Sequence, residues 1–85
     1  MPDKEFTRAD IEAFFLDVAR RNALSEETHQ VISVQRIFEI EQPTWLLVDR
    51  MAWSGKAGVK FSKITYVITV KDGDFWICKR EEMPA

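Results

Sequence analysis

Asp49 and Arg50 interrupt an apolar run, with Trp45-Leu-Leu-Val48 before them and Met51-Ala-Trp53 after. Neighbouring side chains on a strand point to opposite faces, so one of the two must face inward or toward a subunit boundary. An inward Asp49 beside Trp45, Trp53 and Tyr66 has the chemistry of a general base in a small cleft. Trp45, Asp49, Arg50, Trp53 and Tyr66 therefore form a candidate ligand cleft, with an edge-of-core ion pair or an interface contact as the plainer use of Asp49 and Arg50. His29, the single histidine, falls between the polar stretch Ser25-Glu-Glu-Thr28 and the first strand. It has no nucleophile or orienting partner at a fixed spacing and is expected as a solvated loop side chain. Cys78 is the single cysteine, so an intrachain disulfide is excluded. A reactive thiol needs a lowered pKa, and in an alternating strand Lys79 and Arg80 point elsewhere or toward solvent, so Cys78 is expected to pack quietly. One histidine, one cysteine and scattered carboxylates supply no chelating spacing, so neither a metal nor another cofactor is expected. No glycine-rich phosphate loop and no Ser/His/Asp set is present, and no catalytic residue is assigned.

These residues are positioned by one helix and four strands. The spacing predicts a helix over 7–22. Thr7 is an N-cap with Asp10 three residues on, Phe6 and Ile11 form a hydrophobic staple, and Ile11, Phe14, Phe15 and Val18 make an apolar stripe. Arg20-Arg21-Asn22 is a stop signal. Ser25–Gln30 reads as a connector, with Ser25 able to cap a single turn. Strands are predicted at about 31–41, 44–53, 59–70 and 74–80. In the first, Ile32, Val34, Phe38 and Ile40 alternate with polar residues. Gln42-Pro43 makes a turn. The third strand changes apolar phase, from Val59 and Phe61 to Ile64, Tyr66, Ile68 and Val70, and a β-bulge near Ser62-Lys63 would absorb the slip. The tail Glu81–Ala85 is expected to fray.

The last two strands are joined by Asp72-Gly73, which supplies the two positive-φ positions of a type I′ turn. That turn sets register. Val70 should oppose Phe75 and Ile68 oppose Ile77 on one face; Thr69 should oppose Trp76 and Val67 oppose Cys78 on the other. One helix covers one face, so Thr65, Val67, Thr69, Trp76 and Cys78 are left as an apolar patch on the outer face. Such patches mark interaction surfaces, and tryptophan is enriched at their centres.

The chain has 85 residues, 46% of them hydrophobic and 12% aromatic, which suffices for one domain spanning 1–85 around one core. The net charge of −2 gives no global attraction to nucleic acid or to an anionic membrane. Val59-Lys-Phe-Ser-Lys63 interleaves basic and apolar residues, but the glycine-aromatic spacing of RNA-recognition sheets is absent. No apolar run approaches the length of a membrane span, and the first residues lack an apolar leader core. These observations lead to an expected cytoplasmic location.

The order is helix, then a four-stranded antiparallel meander, an α+β architecture. A helix followed by a curled meander resembles the cystatin-like roll and the C-terminal half of nuclear-transport-factor-like and polyketide-cyclase-like domains. The resemblance rests on Asp72-Gly73-Asp74-Phe75-Trp76-Ile77 and covers about residues 31–80. Such domains close with an Asp-Gly turn, an aromatic, a polar residue and Ile or Val; Trp76 departs from this by standing at the polar position. It implies a sheet curled round the helix. Two functions follow as expectations. The first is a non-catalytic binding or regulatory module that self-associates through its sheet, as a homodimer or with another protein. The second is a minimal small-ligand binder or enzyme with a cleft near Asp49 and Tyr66. A core filled by Phe14, Phe15, Ile68 and Phe75 favours the first, and a solvent-poor cavity containing Asp49 favours the second.

Overall fold

The computed structural model describes residues 6–22 and 27–84. Helix α1 spans Arg8–Asn22, and strands β1 (Glu27–Ile37), β2 (Thr44–Gly55), β3 (Gly58–Lys71) and β4 (Asp74–Pro84) follow. The strands form one antiparallel sheet in the order β1-β2-β3-β4, a meander with α1 packed on one face.

The helix starts as its residues dictate. The Thr7 amide donates to Asp10 Oδ2 at 2.8 Å, and the Asp10 amide donates to Thr7 Oγ1 at 3.2 Å. Two of the unsatisfied amides at a helix start are thereby paired. Ile11 and Phe15 are fully buried from the helix side, against Trp45, Leu47, Ile64, Tyr66 and Ile68 from the sheet. Phe14 and Phe75 pack at the edge of this cluster with ring centroids 5.1 Å apart. Phe6 closes its end, 4.9 Å from Phe75 and 5.8 Å from Trp45.

Asp72 and Gly73 take φ of 53° and 81°, the positive pair of a type I′ turn, and Val70–Phe75, Thr69–Trp76 and Ile68–Ile77 pair as expected. Register then departs from expectation. A bulge falls between Val67 and Ile68 on the β4 side, so Val67 pairs with Lys79 and Tyr66 with Arg80. Cys78 is the extra residue and does not oppose Val67. Arg80 therefore shares the inner face with Tyr66 instead of following simple alternation outward. β4 also continues to Pro84, pairing with Ser62, where fraying from Glu81 was expected.

The expected bulge in β3 is absent: β2 and β3 pair without interruption from Thr44–Thr69 to Gly55–Gly58. The apolar phase change is a real change of face. Val59 and Phe61 lie on the outer side and are exposed, with the Arg50 guanidinium 4.2 Å above the Phe61 ring. A second bulge sits in β1 at Ile32, between Val31 and Ser33. It turns Ile32 into solvent and places Val31 and Val34 against the core. β1 also begins four residues earlier than predicted and ends at Ile37, so Phe38 and Ile40 are exposed in the connection to β2. Ser25 lies outside the described residues.

A 15-residue helix is about 22 Å long, whereas a 14-residue strand reaches about 46 Å. The molecule is correspondingly elongated, 54 × 23 × 18 Å. Near the β2–β3 turn the Trp53 ring lies over Gly55, where no room remains for a Cβ.

Candidate functional site

The site lies on the inner face, between the C-terminal half of α1 and the middle of the sheet. It is a cleft of about 470 Å³, open on one side. Phe15, Val18 and Ala19 from α1, with Met51 and Ile77 from the sheet, form its apolar walls. Glu27, His29, Tyr66, Arg80 and Glu82 supply its polar groups, with Asn22 at the end of the helix.

His29 and Asp49 are the centre of the arrangement. His29 pairs with Met51 across β1–β2, so Asp49 is its diagonal neighbour on the same face, within reach of a long side chain. His29 Nδ1 and Asp49 Oδ2 are 2.7 Å apart. Asp49 is fully buried at 0% exposure, and the His29 side chain is 12% exposed. Burial pushes the Asp49 carboxyl above its ordinary pKa; the His29 hydrogen bond and charge, with the Gln30 backbone amide, oppose that without cancelling it. With Asp49 ionised, Nδ1 carries the proton and Nε2 is the free lone pair. Among the described residues, that Nε2 is buried without a hydrogen-bond partner, as is Asp49 Oδ1. The Glu27 carboxylate approaches Nε2 at 3.6 Å, beyond hydrogen-bond range.

Facing this pair are Tyr66 and Arg80. Desolvation raises the Tyr66 phenol above its ordinary pKa, against the lowering effect of the neighbouring Arg80 guanidinium. The Arg80 guanidinium donates to Glu82 Oε1 at 2.6 Å, and the Glu82 carboxylate is the foremost cause of Arg80's upward shift. Tyr66 is fixed from the helix side by Phe15, whose ring centroid is 4.7 Å away.

Of the five cleft candidates, the structure brings Tyr66 to the wall and places Asp49 behind His29. The other three lie elsewhere. Trp45 is in the core against Phe6 and Phe75, with the Arg36 guanidinium 5.2 Å above its ring. Arg50 is on the outer face, and Trp53 lies over Gly55. His29 is not a solvated loop residue, because β1 includes it. Sequence reasoning also missed Glu27, Arg80 and Glu82. The available signal was period-two spacing, since Glu27, His29 and Val31 alternate with Thr28 and Gln30. No group of three His, Cys, Asp or Glu side chains among the described residues converges as a metal site.

On the outer face, Thr65, Val67 and Thr69 are half-buried, whereas Trp76 is 55% exposed and Cys78 is exposed. Trp76 Nε1 donates to the Lys71 carbonyl at 3.3 Å. Among the described residues no helix is long and apolar enough to cross a membrane.

Comparison with protein-family models, curated proteins and solved structures gives no match to this chain.

Proposed function

We propose that the chain is a small-molecule-binding protein whose cleft carries a general base, His29, oriented by Asp49. The observation that carries this reading is the unpartnered His29 Nε2 at a 470 Å³ cleft, backed by a carboxylate without solvent exposure. A carboxylate on Nδ1 selects the tautomer that leaves Nε2 basic, and it stabilises the imidazolium that forms when Nε2 takes a proton. Tyr66, across the cleft, is a neutral hydrogen-bond donor for charge developing on the ligand. The resemblance to the cystatin-like roll, in which a sheet curls over a helix, is compatible with such a cleft.

Because His29 is the single histidine, p-nitrophenyl acetate tests its basicity without interference from other imidazoles. Ester hydrolysis is expected to exceed that of equimolar 4-methylimidazole, and H29Q should reduce it by about 10²-fold or more. Equal rates for native protein and H29Q would exclude an active imidazole.

A second reading is favoured by exposed Trp76 beside half-buried Val67 and Thr69, on the sheet face opposite α1. We propose that this face mediates self-association, with a homodimer as the expected form. Light scattering on a sizing column should give a dimer for the native chain and a folded monomer for Trp76→Glu. A native monomer would remove this reading and leave the cleft unaffected.

A further inference from the structure

The Glu27 side chain is only 20% exposed, and the only basic group within 4.0 Å among the described residues is His29. The other acidic group of the cleft, Glu82, is already paired with Arg80. The charge of Arg80, the one arginine lining the cleft, is thus already balanced by Glu82 at 2.6 Å. What remains unsatisfied is acceptor capacity: the Glu27 carboxylate and His29 Nε2, 3.6 Å apart, with the buried Asp49 carboxylate behind the imidazole. Two acceptors at that separation are too far apart to bond each other across a shared proton. A single N–H-bearing nitrogen about 2.9 Å from each would bridge them. The adjoining walls are apolar: Phe15, Val18, Ala19 and Met51.

We infer that the ligand of this cleft is an amine: an apolar or aromatic body with an ammonium group held between Glu27 and His29 Nε2. The inference rests on the cleft reading and deepens it. The ammonium donates one N–H to Glu27 and one to Nε2, and no proton or electron need leave the complex for binding. A partly buried carboxylate that would otherwise stand without a cation gains one, while an anionic ligand would meet Glu27 and Asp49 with no opposing free charge.

Three probes of matched shape separate the possibilities: tryptamine, 3-ethylindole and indole-3-acetate. Each is titrated into the full chain, with amide and His29 ring-nitrogen shifts followed by NMR. Tryptamine should bind about tenfold tighter than 3-ethylindole and tighter still than indole-3-acetate, with shifts centred on His29 and Met51. In Glu27→Gln, which preserves side-chain size and a polar group, the preference for tryptamine should fall to about threefold or less. Indole-3-acetate binding as well as tryptamine would overturn the amine inference and leave the cleft reading intact. Preference for tryptamine that survives in Glu27→Gln would overturn the role given to Glu27. If none of the three perturbs cleft residues, both the amine inference and the cleft reading fall. Because Glu27 begins an edge strand, an unchanged amide spectrum of free Glu27→Gln establishes that its fold is retained.

Discussion

Replacing Phe15 with alanine is expected to remove about 3–5 kcal/mol of folding stability, the usual range for a fully buried aromatic. Phe15 is 1% exposed and is the largest of the fully buried side chains. It joins α1 to the sheet at two aromatic contacts, Tyr66 at 4.7 Å and His29 at 6.0 Å. Among the described residues a single helix covers this sheet, and no second element lies over it to close the gap. Small domains have total stabilities of about 5–15 kcal/mol, so the substitution should leave a marginal protein. In thermal unfolding followed by circular dichroism, each kcal/mol corresponds to about 4–8 °C for a domain of this size. A midpoint lowered by less than that would mean that α1 is not held to the sheet through Phe15.

Replacing His29 with leucine should be nearly as severe, and its severity should depend on pH. Leucine keeps approximate volume but leaves the Asp49 carboxylate buried without its partner. Breaking such a pair from one side costs about 3–5 kcal/mol. Asp49 already has a pKa raised by desolvation, with His29 the foremost opposing influence. Removing His29 raises it further. A carboxyl with a raised folded-state pKa binds its proton more readily in the native state than in the unfolded chain, so stability falls as pH rises through that interval. The loss in His29→Leu should therefore be full above the folded-state pKa of Asp49 and shrink as pH falls toward the ordinary carboxylate value. Tyr66 adds a weaker coupling to the same group. The double variant His29→Leu/Asp49→Leu should regain most of the neutral-pH loss, because an apolar pair replaces the buried polar one. Denaturant melts at three pH values check both statements. A pH-independent loss would show that His29 contributes packing alone. Recovery in the double variant would identify the His29–Asp49 pair as costly to the fold, which is expected of groups retained for chemistry.

The two central strands were legible because their apolar residues are dense, and the Asp72-Gly73 turn made the pairing of β3 with β4 legible as far as Ile68–Ile77. The helix was legible because Thr7, Asp10, Phe6 and Ile11 each signal the same start. The site was less so, for two physical reasons. His29 sits in a polar tetrapeptide, Glu27-Thr-His-Gln30, and burial of polar residues leaves no hydrophobic trace; only alternation betrays it. Arg80 reaches the cleft through a bulge at Cys78, and a bulge made by an ordinary residue has no compositional mark. The phase change at Val59–Ile64 misled in the opposite direction. There the backbone runs regularly and the solvent-facing side is apolar, with Arg50 stacked on Phe61. Asp49 was legible as an inward carboxylate, but its partner was not.

The bulge at Cys78 also bears on how this protein can change over generations. Residues up to Ile77 keep their faces whatever happens beyond them, because the tight turn anchors that end. Past Cys78 every side chain owes its face to one additional residue. Pairing Cys78 regularly instead of bulging it would present Lys79 and Glu81 to the cleft and send Arg80 and Glu82 outward, whereas loss of the Cys78 codon would leave all four on their present faces. The ligand chemistry of the cleft thus depends on where β4 bulges as well as on which residues it carries, while the core that folds the chain lies on the insensitive side.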